Sequence, residues 1–325
     1  MKFNLMLDLP EIKEEMAAVE RELRATLKTS VPLLTETTQH LLQAGGKRLR
    51  PAFSLLGAKC ADFKLERVLP LAVALELIHM ATLVHDDVVD AAVTRRGVPT
   101  VRAQWGNRIS THVGTYLFAQ SLILIAGYYD NPMIAQVLAN TSIKMCEGEI
   151  QQIASTFDVQ QSIKDYFRRI NRKTALLIAA SCQLGAVACN APRETHAALR
   201  RYGHHIGMAF QITDDILDLV ADQEQLGKPV GSDLRQGIIT LPVIYALTHS
   251  PKRERLKAII FSRTREEEQI EEAIAIVRRS GGIEYAVKVA QRFTLKAKSS
   301  LKPLPDRPAK KVLASIADFV SSRKF

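Results

Sequence analysis

The chain has 325 residues, 47% hydrophobic and only 6% aromatic, with 44 Lys and Arg against 34 Asp and Glu for a formal net charge of +10. That is ample apolar material for a core, and no linker-like stretch interrupts it, so a single domain over residues 1–325 is expected. The positive balance suits nucleic acid, a membrane surface or a small anionic substrate. The basic residues are scattered without an aromatic-interleaved stripe, which argues against nucleic acid.

Cys60, Cys146, Cys182 and Cys189 lack C-x-x-C spacing and lie in apolar segments, so all four are expected as small buried hydrophobes rather than disulfides or zinc ligands. The first residues, with Asp8, Glu11, Glu14 and Glu15, do not follow the basic-then-apolar order of a signal peptide, and a cytoplasmic location is expected. Thr174 to Ala191 is the stretch nearest to a membrane span. Ser181, Gln183, Gly185 and Asn190 interrupt it and favour a buried central helix, with no transmembrane segment.

From Pro10 to about Lys28, Ile12, Met16, Val19, Leu23 and Leu27 fall three and four apart and predict an amphipathic helix. Pro32 precedes a second helix that ends at Gly45-Gly46. Lys47, Arg48 and Arg50 follow, and Pro51 opens a third helical run from Ala52 to Ala61. Two glycines permit an unusual turn, and basic residues near a helix start suit a phosphate. Leu69 to Asp90 reads as a long helix ending in Asp86, Asp87 and Asp90, followed by Arg95, Arg96 and Gly97. Helices are also expected over Asn107–Gly127 and Pro132–Phe157, the second carrying Glu147, Glu149 and Gln151. Ser162 or Asp165 caps the next, which runs through Lys173 and Thr174. Arg193 to Leu219 ends in a second cluster, Asp214, Asp215 and Asp218. A Gly- and Pro-containing loop over Leu226–Gly237 and a helix from Thr240 follow, and the remaining third is amphipathic. No run shows sustained period-two alternation, so the fold class is all-α.

Asp86 and Asp90 share one helical face, and like charges at that spacing call for a cation between them. Mg²⁺ suits them, since it is held by one or two carboxylates plus substrate phosphates. The second cluster repeats the spacing of the first. If the two helices face each other, six carboxylates hold several Mg²⁺ ions, and the ligand must bring further negative oxygens, most simply a diphosphate. The apolar residues behind the carboxylates suit a hydrocarbon tail.

With these motifs in this order, the chain resembles the trans (E) isoprenyl diphosphate synthases from Gly45 to Phe325. Leu75–Ala81, Arg172–Gly185 and Gln211–Asp218 are similar to the catalytic component of two-component bacterial heptaprenyl diphosphate synthases. The resemblance implies a single-domain helical bundle around a central apolar cavity. It implies an Mg²⁺-dependent condensation of an allylic diphosphate, farnesyl diphosphate in this subgroup, with isopentenyl diphosphates for a quinone side chain. The allylic C–O bond ionises to a carbocation, the isopentenyl double bond attacks it, and a proton leaves to the released diphosphate. Lys47, Arg50, His79 and Arg96 match contacts to isopentenyl diphosphate. Arg95, Lys173, Thr174, Gln211 and Lys228 match contacts on the allylic side, with Lys173, Thr174 and Gln211 catalytic. Asp86, Asp87, Asp90, Asp214, Asp215 and Asp218 form the metal set for three Mg²⁺ ions.

Ala81 and Thr82, five and four residues before Asp86, lack the bulk that would floor a product tube, which implies a product beyond the four-unit class. Seven units, and a heterodimer with a small non-catalytic subunit, follow from the subgroup alone. The alternatives are a homodimeric hexaprenyl to decaprenyl synthase and a non-elongating, terpene synthase-like enzyme; the latter does not use the basic Gly-Gly-Lys-Arg site. The chain departs from the family pattern at Thr115, where aspartate is usual, and at Ala91, which replaces an acidic residue.

Overall fold

The computed structural model describes residues 9–220, 230–262 and 266–322. These residues are almost wholly helical, as expected. The chain divides into two compact units, one of residues 1–139, 180–200 and 303–313, the other of residues 140–179, 201–302 and 314–325.

In the first unit, Met16, Val19 and Leu23 lie on the buried stripe of α1 (Lys13–Thr26). Helices α2 (Pro32–Gln43) and α3 (Leu49–Lys59) follow, then the 25-residue α4 (Leu65–Val89), against which α1, α3 and α5 (Val101–Ala126) pack. Residues Leu71 to Ile78 of α4 are buried without interruption, which makes it a central helix rather than an amphipathic surface one. Pro70 sits inside α4 and cannot donate to the helical ladder. The Tyr128 hydroxyl enters the ladder beside it, accepting from the Leu71 amide at 3.0 Å and donating to the Arg67 carbonyl at 2.6 Å. Gly57 and Gly185 let two helices touch backbone to backbone, since a Cβ at either would fall on the carbonyl of Cys182 or Ser54. Helix α5 starts earlier than expected, at a Thr100 cap, and Gly106, at φ +82°, breaks it just before the predicted start.

A short antiparallel hairpin, β1 (Thr94–Arg95) and β2 (Val98–Pro99), departs from the expectation of no strands. The apolar window of α4 is 67% buried and that of α5 33% buried; by length and composition both could cross a bilayer. The expected stretch is not one of them, and its Leu177 to Cys189 are buried.

In the second unit, Ser162 caps α7 (Ile163–Ile170) in a reciprocal box with Asp165, so both expected caps are used. A π-helical turn, Asn171–Ala175, leads into α8 (Leu176–Ala188). Helices α6 (Pro132–Ala154) and α9 (Arg193–Val220) are as expected within a few residues. Tyr166, Ile170, Ile212 and Ile216 join Leu241, Ile244, Ile270 and Val277 in one core. The last four come from α11 (Leu241–His249) and α13 (Glu267–Arg279), which flank α12 (Arg253–Phe261) in the chain, while the short α10 is Ser232–Arg235. Helices α14 (Gly282–Ser300) and α15 (Pro308–Ser322) complete the described chain. Cys60, Cys182 and Cys189 are buried, but Cys146 is exposed, because it falls on the outward side of α6. Lys228 lies outside the described residues.

Candidate active site

The first unit builds a cationic cluster from three turns. Gly45, at φ +71°, ends α2, and Arg48 begins α3 in the left-handed region at φ +46°. Between them stands Lys47, half-buried, with Arg50 one residue into α3. Arg48 itself is turned inward, 3% exposed, and pairs with Glu20 at 2.5 Å and Glu76 at 3.1 Å. Sequence reasoning left both glutamates unassigned, since nothing in an apolar helix marks Glu76 as an ion-pair partner.

The acidic end of α4 closes in a Schellman motif. The Ala92 amide donates to the Asp87 carbonyl at 3.0 Å and the Ala91 amide to the Val88 carbonyl at 3.4 Å, with Ala91 left-handed at φ +52°. The chain then enters the hairpin, in which Arg95 pairs with Val98, leaving a two-residue turn of Arg96 (φ +56°) and Gly97 (φ +80°). Two positive φ values make a type I′ turn, which suits the twist of the flanking strands. Its local pattern is only the Arg96-Gly97 dipeptide between Arg95 and Val98, too short to read as two strands from the sequence. Arg96 donates to the Gly45 carbonyl, linking this turn to the glycine turn.

These turns gather around His79. Burial is the largest cause that pushes its imidazole well below the usual histidine range, and the charges of Arg50, Arg96, Arg95 and Arg48 push the same way. A neutral imidazole thus stands among guanidinium groups that repel one another, an arrangement that suits a polyanion. His40, Gly45, Arg48, Asp87, Arg95 and Arg96 share a small cleft beside it.

The aspartates of this unit divide. Asp90 is exposed and Asp86 half-buried, whereas Asp87 is 3% exposed and accepts from Arg95 Nε at 2.7 Å. Burial raises the Asp87 pKa, and Arg95 opposes that rise. Ala81 is buried; Thr82 is half-buried, and its hydroxyl returns to the His79 carbonyl at 2.8 Å. Thr115 is exposed, and its hydroxyl donates to the Thr111 carbonyl of its own helix at 3.0 Å.

The second unit carries the remaining expected site residues that the structure describes. The π-turn carries Lys173 and Thr174, and such turns recur where a helix must re-aim side chains. Lys173 meets Glu149 at 3.0 Å and Arg172 meets Glu147 at 3.2 Å, so two glutamates left unassigned from sequence serve as counter-charges. Thr174 Oγ1 donates to Gln211 Oε1 at 2.6 Å, Gln211 Nε2 to Asp215 Oδ1 at 2.8 Å, and the Tyr166 hydroxyl to Asp215 Oδ2 at 2.7 Å. Burial raises the Asp215 pKa to about 6. Asp218 is buried too and accepts from the Asp233 amide at 3.1 Å, while Asp214 remains half-buried. Tyr166, wholly buried, carried no sequence signal of this role.

The polyprenyl synthetase family model matches residues 31–277. The chain belongs to the polyprenyl synthetase family. This polyprenyl synthetase is 48% identical over 316 residues to the heptaprenyl diphosphate synthase component 2 of Geobacillus stearothermophilus, covering 97% of each chain. It is similar to the crystal structure of heptaprenyl diphosphate synthase from Staphylococcus aureus, at TM-score 0.91 and 39% identity over 97% of this chain and 99% of that one. A polyprenyl synthase from Caulobacter crescentus, complexed with calcium and isoprenyl diphosphate, matches at TM-score 0.93 and 34% identity over 100% and 98%.

Among the described residues no three histidine, cysteine or carboxylate groups gather closely enough to cage a metal by themselves. The donor chemistry fits Mg²⁺ all the same. Asp86 and Asp90 offer accessible oxygens one helical turn apart, and this ion takes one or two carboxylates, waters and substrate phosphates rather than an all-protein cage.

Proposed function

We propose that this prenyltransferase extends farnesyl diphosphate with isopentenyl diphosphates to an all-trans heptaprenyl diphosphate, the precursor of a quinone side chain. The observation that carries the reading is the cleft that Arg48, Arg95 and Arg96 line with Gly45, just before Lys47 and Arg50 in the chain and tied together by the Arg96 bond to the Gly45 carbonyl, a cationic setting that suits a diphosphate. Lys47, Arg50, His79 and Arg96 bind isopentenyl diphosphate there and orient its double bond. Arg95, Lys173 and Lys228 bind the allylic diphosphate.

Asp86, Asp90 and Asp214 would hold Mg²⁺, three ions in the loaded enzyme, which supplies charge stabilisation for the departing diphosphate. The Thr174 and Gln211 oxygens, hydrogen-bonded to each other, would supply fixed dipoles to stabilise a developing cation. When the allylic C–O bond breaks, the isopentenyl π electrons form the new C–C bond, and the proton lost from the adduct goes to the released diphosphate.

The relative named component 2 supports a working complex with a small non-catalytic subunit. The cytoplasm, where both diphosphates are soluble, is the proposed compartment. The test is the purified chain with and without that subunit, given farnesyl and isopentenyl diphosphates and Mg²⁺, with products sized by chromatography. A seven-unit product requiring both proteins is expected; absence of elongation in either case overturns the proposal.

A further inference from the structure

Glu76 is 1% exposed in the middle of an otherwise apolar stretch of α4, one turn before His79. Its Oε1 accepts from Arg48 at 3.1 Å, and its Oε2 is buried with no hydrogen-bond partner among the described residues. Arg48 reaches on to Glu20 of α1, so two carboxylates on two helices hold one guanidinium. The buried Arg48–Glu76 pair, with half-buried Glu20 as its third member, is seldom worth more stability than apolar side chains of the same volume. Its place suggests another use.

Arg48 is the left-handed residue from which α3 starts, with Lys47 before it and Arg50 two residues after. Fixing its side chain from both sides fixes the direction in which that turn presents its neighbours. Glu76 also acts on Arg96: burial lowers the pKa of that guanidinium, and Glu76 is the strongest of the charges opposing the fall. The cluster of Arg48, Arg50, Arg95 and Arg96 would repel itself before an anion arrives, and Glu76 supplies an inward counter-charge.

We propose that Glu76 is a positioning residue of the isopentenyl-side diphosphate site, holding the Lys47–Arg50 turn through Arg48 and keeping Arg96 within the cluster. The proposal rests on the assignment of that site given above, and the test separates the two. Inorganic diphosphate is titrated calorimetrically into the full chain in EDTA, where the metal-dependent aspartates take no part, for wild type, Glu76→Gln, Arg48→Met and the double variant.

Glu76→Gln, nearly isosteric, is expected to weaken diphosphate binding about tenfold. In turnover it is expected to raise KM for isopentenyl diphosphate by a similar factor, with kcat and the allylic KM within about twofold. The double variant is expected to bind more weakly than Arg48→Met by less than the full effect of Glu76→Gln, because both changes break the Arg48 linkage while only the loss of Glu76 removes the counter-charge to Arg96. Unchanged binding in Glu76→Gln overturns the proposal, as does multiplication of the two single effects or an equal fall in kcat and both affinities. Wild-type diphosphate binding without prenyl elongation would count against the assigned reaction while leaving the Glu76 result readable.

Discussion

In each acidic triplet the middle carboxylate turns inward. Asp87 holds Arg95, and Asp215 holds Gln211 and Tyr166, whereas Asp86 and Asp214 keep part of their surface open. The sequence shows six equivalent aspartates, because spacing along a helix reports which residues share a face and not which atoms already have partners. Asp86→Asn is expected to raise the Mg²⁺ concentration for half-maximal activity about tenfold or more. Asp87→Asn is expected to leave that concentration unchanged and to raise the allylic KM instead, as magnesium titrations at fixed substrate will show. Arg96 offers a second comparison at this scale. A left-handed arginine costs roughly 1 kcal/mol where asparagine is tolerated. Arg96→Asn should therefore raise the melting temperature by a few degrees while it weakens isopentenyl diphosphate binding, measured by thermal unfolding and steady-state kinetics.

At the level of elements, helix positions were legible because apolar residues three and four apart, prolines at starts and the Ser162 cap are all local signals. The hairpin after α4 and the π-turn were not. The hairpin has only two residues per strand, too few for alternation, and the π-turn differs from an α-helix by one residue in a ladder that continues on both sides. Gly207 shows what the π-turn needs, since a Cβ there would meet the Ala175 backbone. The chain-length reading belongs to α4. Ala81 is buried, so Ala81→Phe must displace neighbours at about 1–3 kcal/mol, whereas half-buried Thr82 has room on one side. Both substitutions should shorten the product, Thr82→Phe with the smaller loss of stability; a product of unchanged length from both would refute the open tube.

For the whole molecule, pH acts through histidines whose pKa burial lowers, His79, His196 and His205 among the described residues. His79 is pushed well below its ordinary range by burial and then by arginine charges, and His205 is lowered to about 4 by burial and then by His204, Lys296 and Arg201. A depressed folded pKa means that the unfolded chain binds the extra proton first. Stability is therefore full above about 6.5, and it falls as pH drops from there through about 4, the value for His205. Burial of Asp215, raised to about 6, gives an opposite and smaller slope in the same window. Thermal unfolding of wild type and His205→Gln between those limits should show a shallower decline in the variant; parallel curves would exclude His205 as a contributor.

The sequence by itself determined the helical class, the Gly-Gly-Lys-Arg turn, both aspartate clusters and their likeness to a family, since these depend on periodicity and on residues close together in the chain. Only the tertiary structure decided which of those charges are already paired. Arg48 turned inward to Glu20 and Glu76, and Thr174 reached Gln211, because these bonds join residues far apart in sequence, while the nearer pairs, Asp87 with Arg95 and Gln211 with Asp215, depend on the hairpin turn and on which way each side chain faces. Burial supplied the rest: it is the largest cause of the neutral state of His79, which no local pattern in α4 encodes.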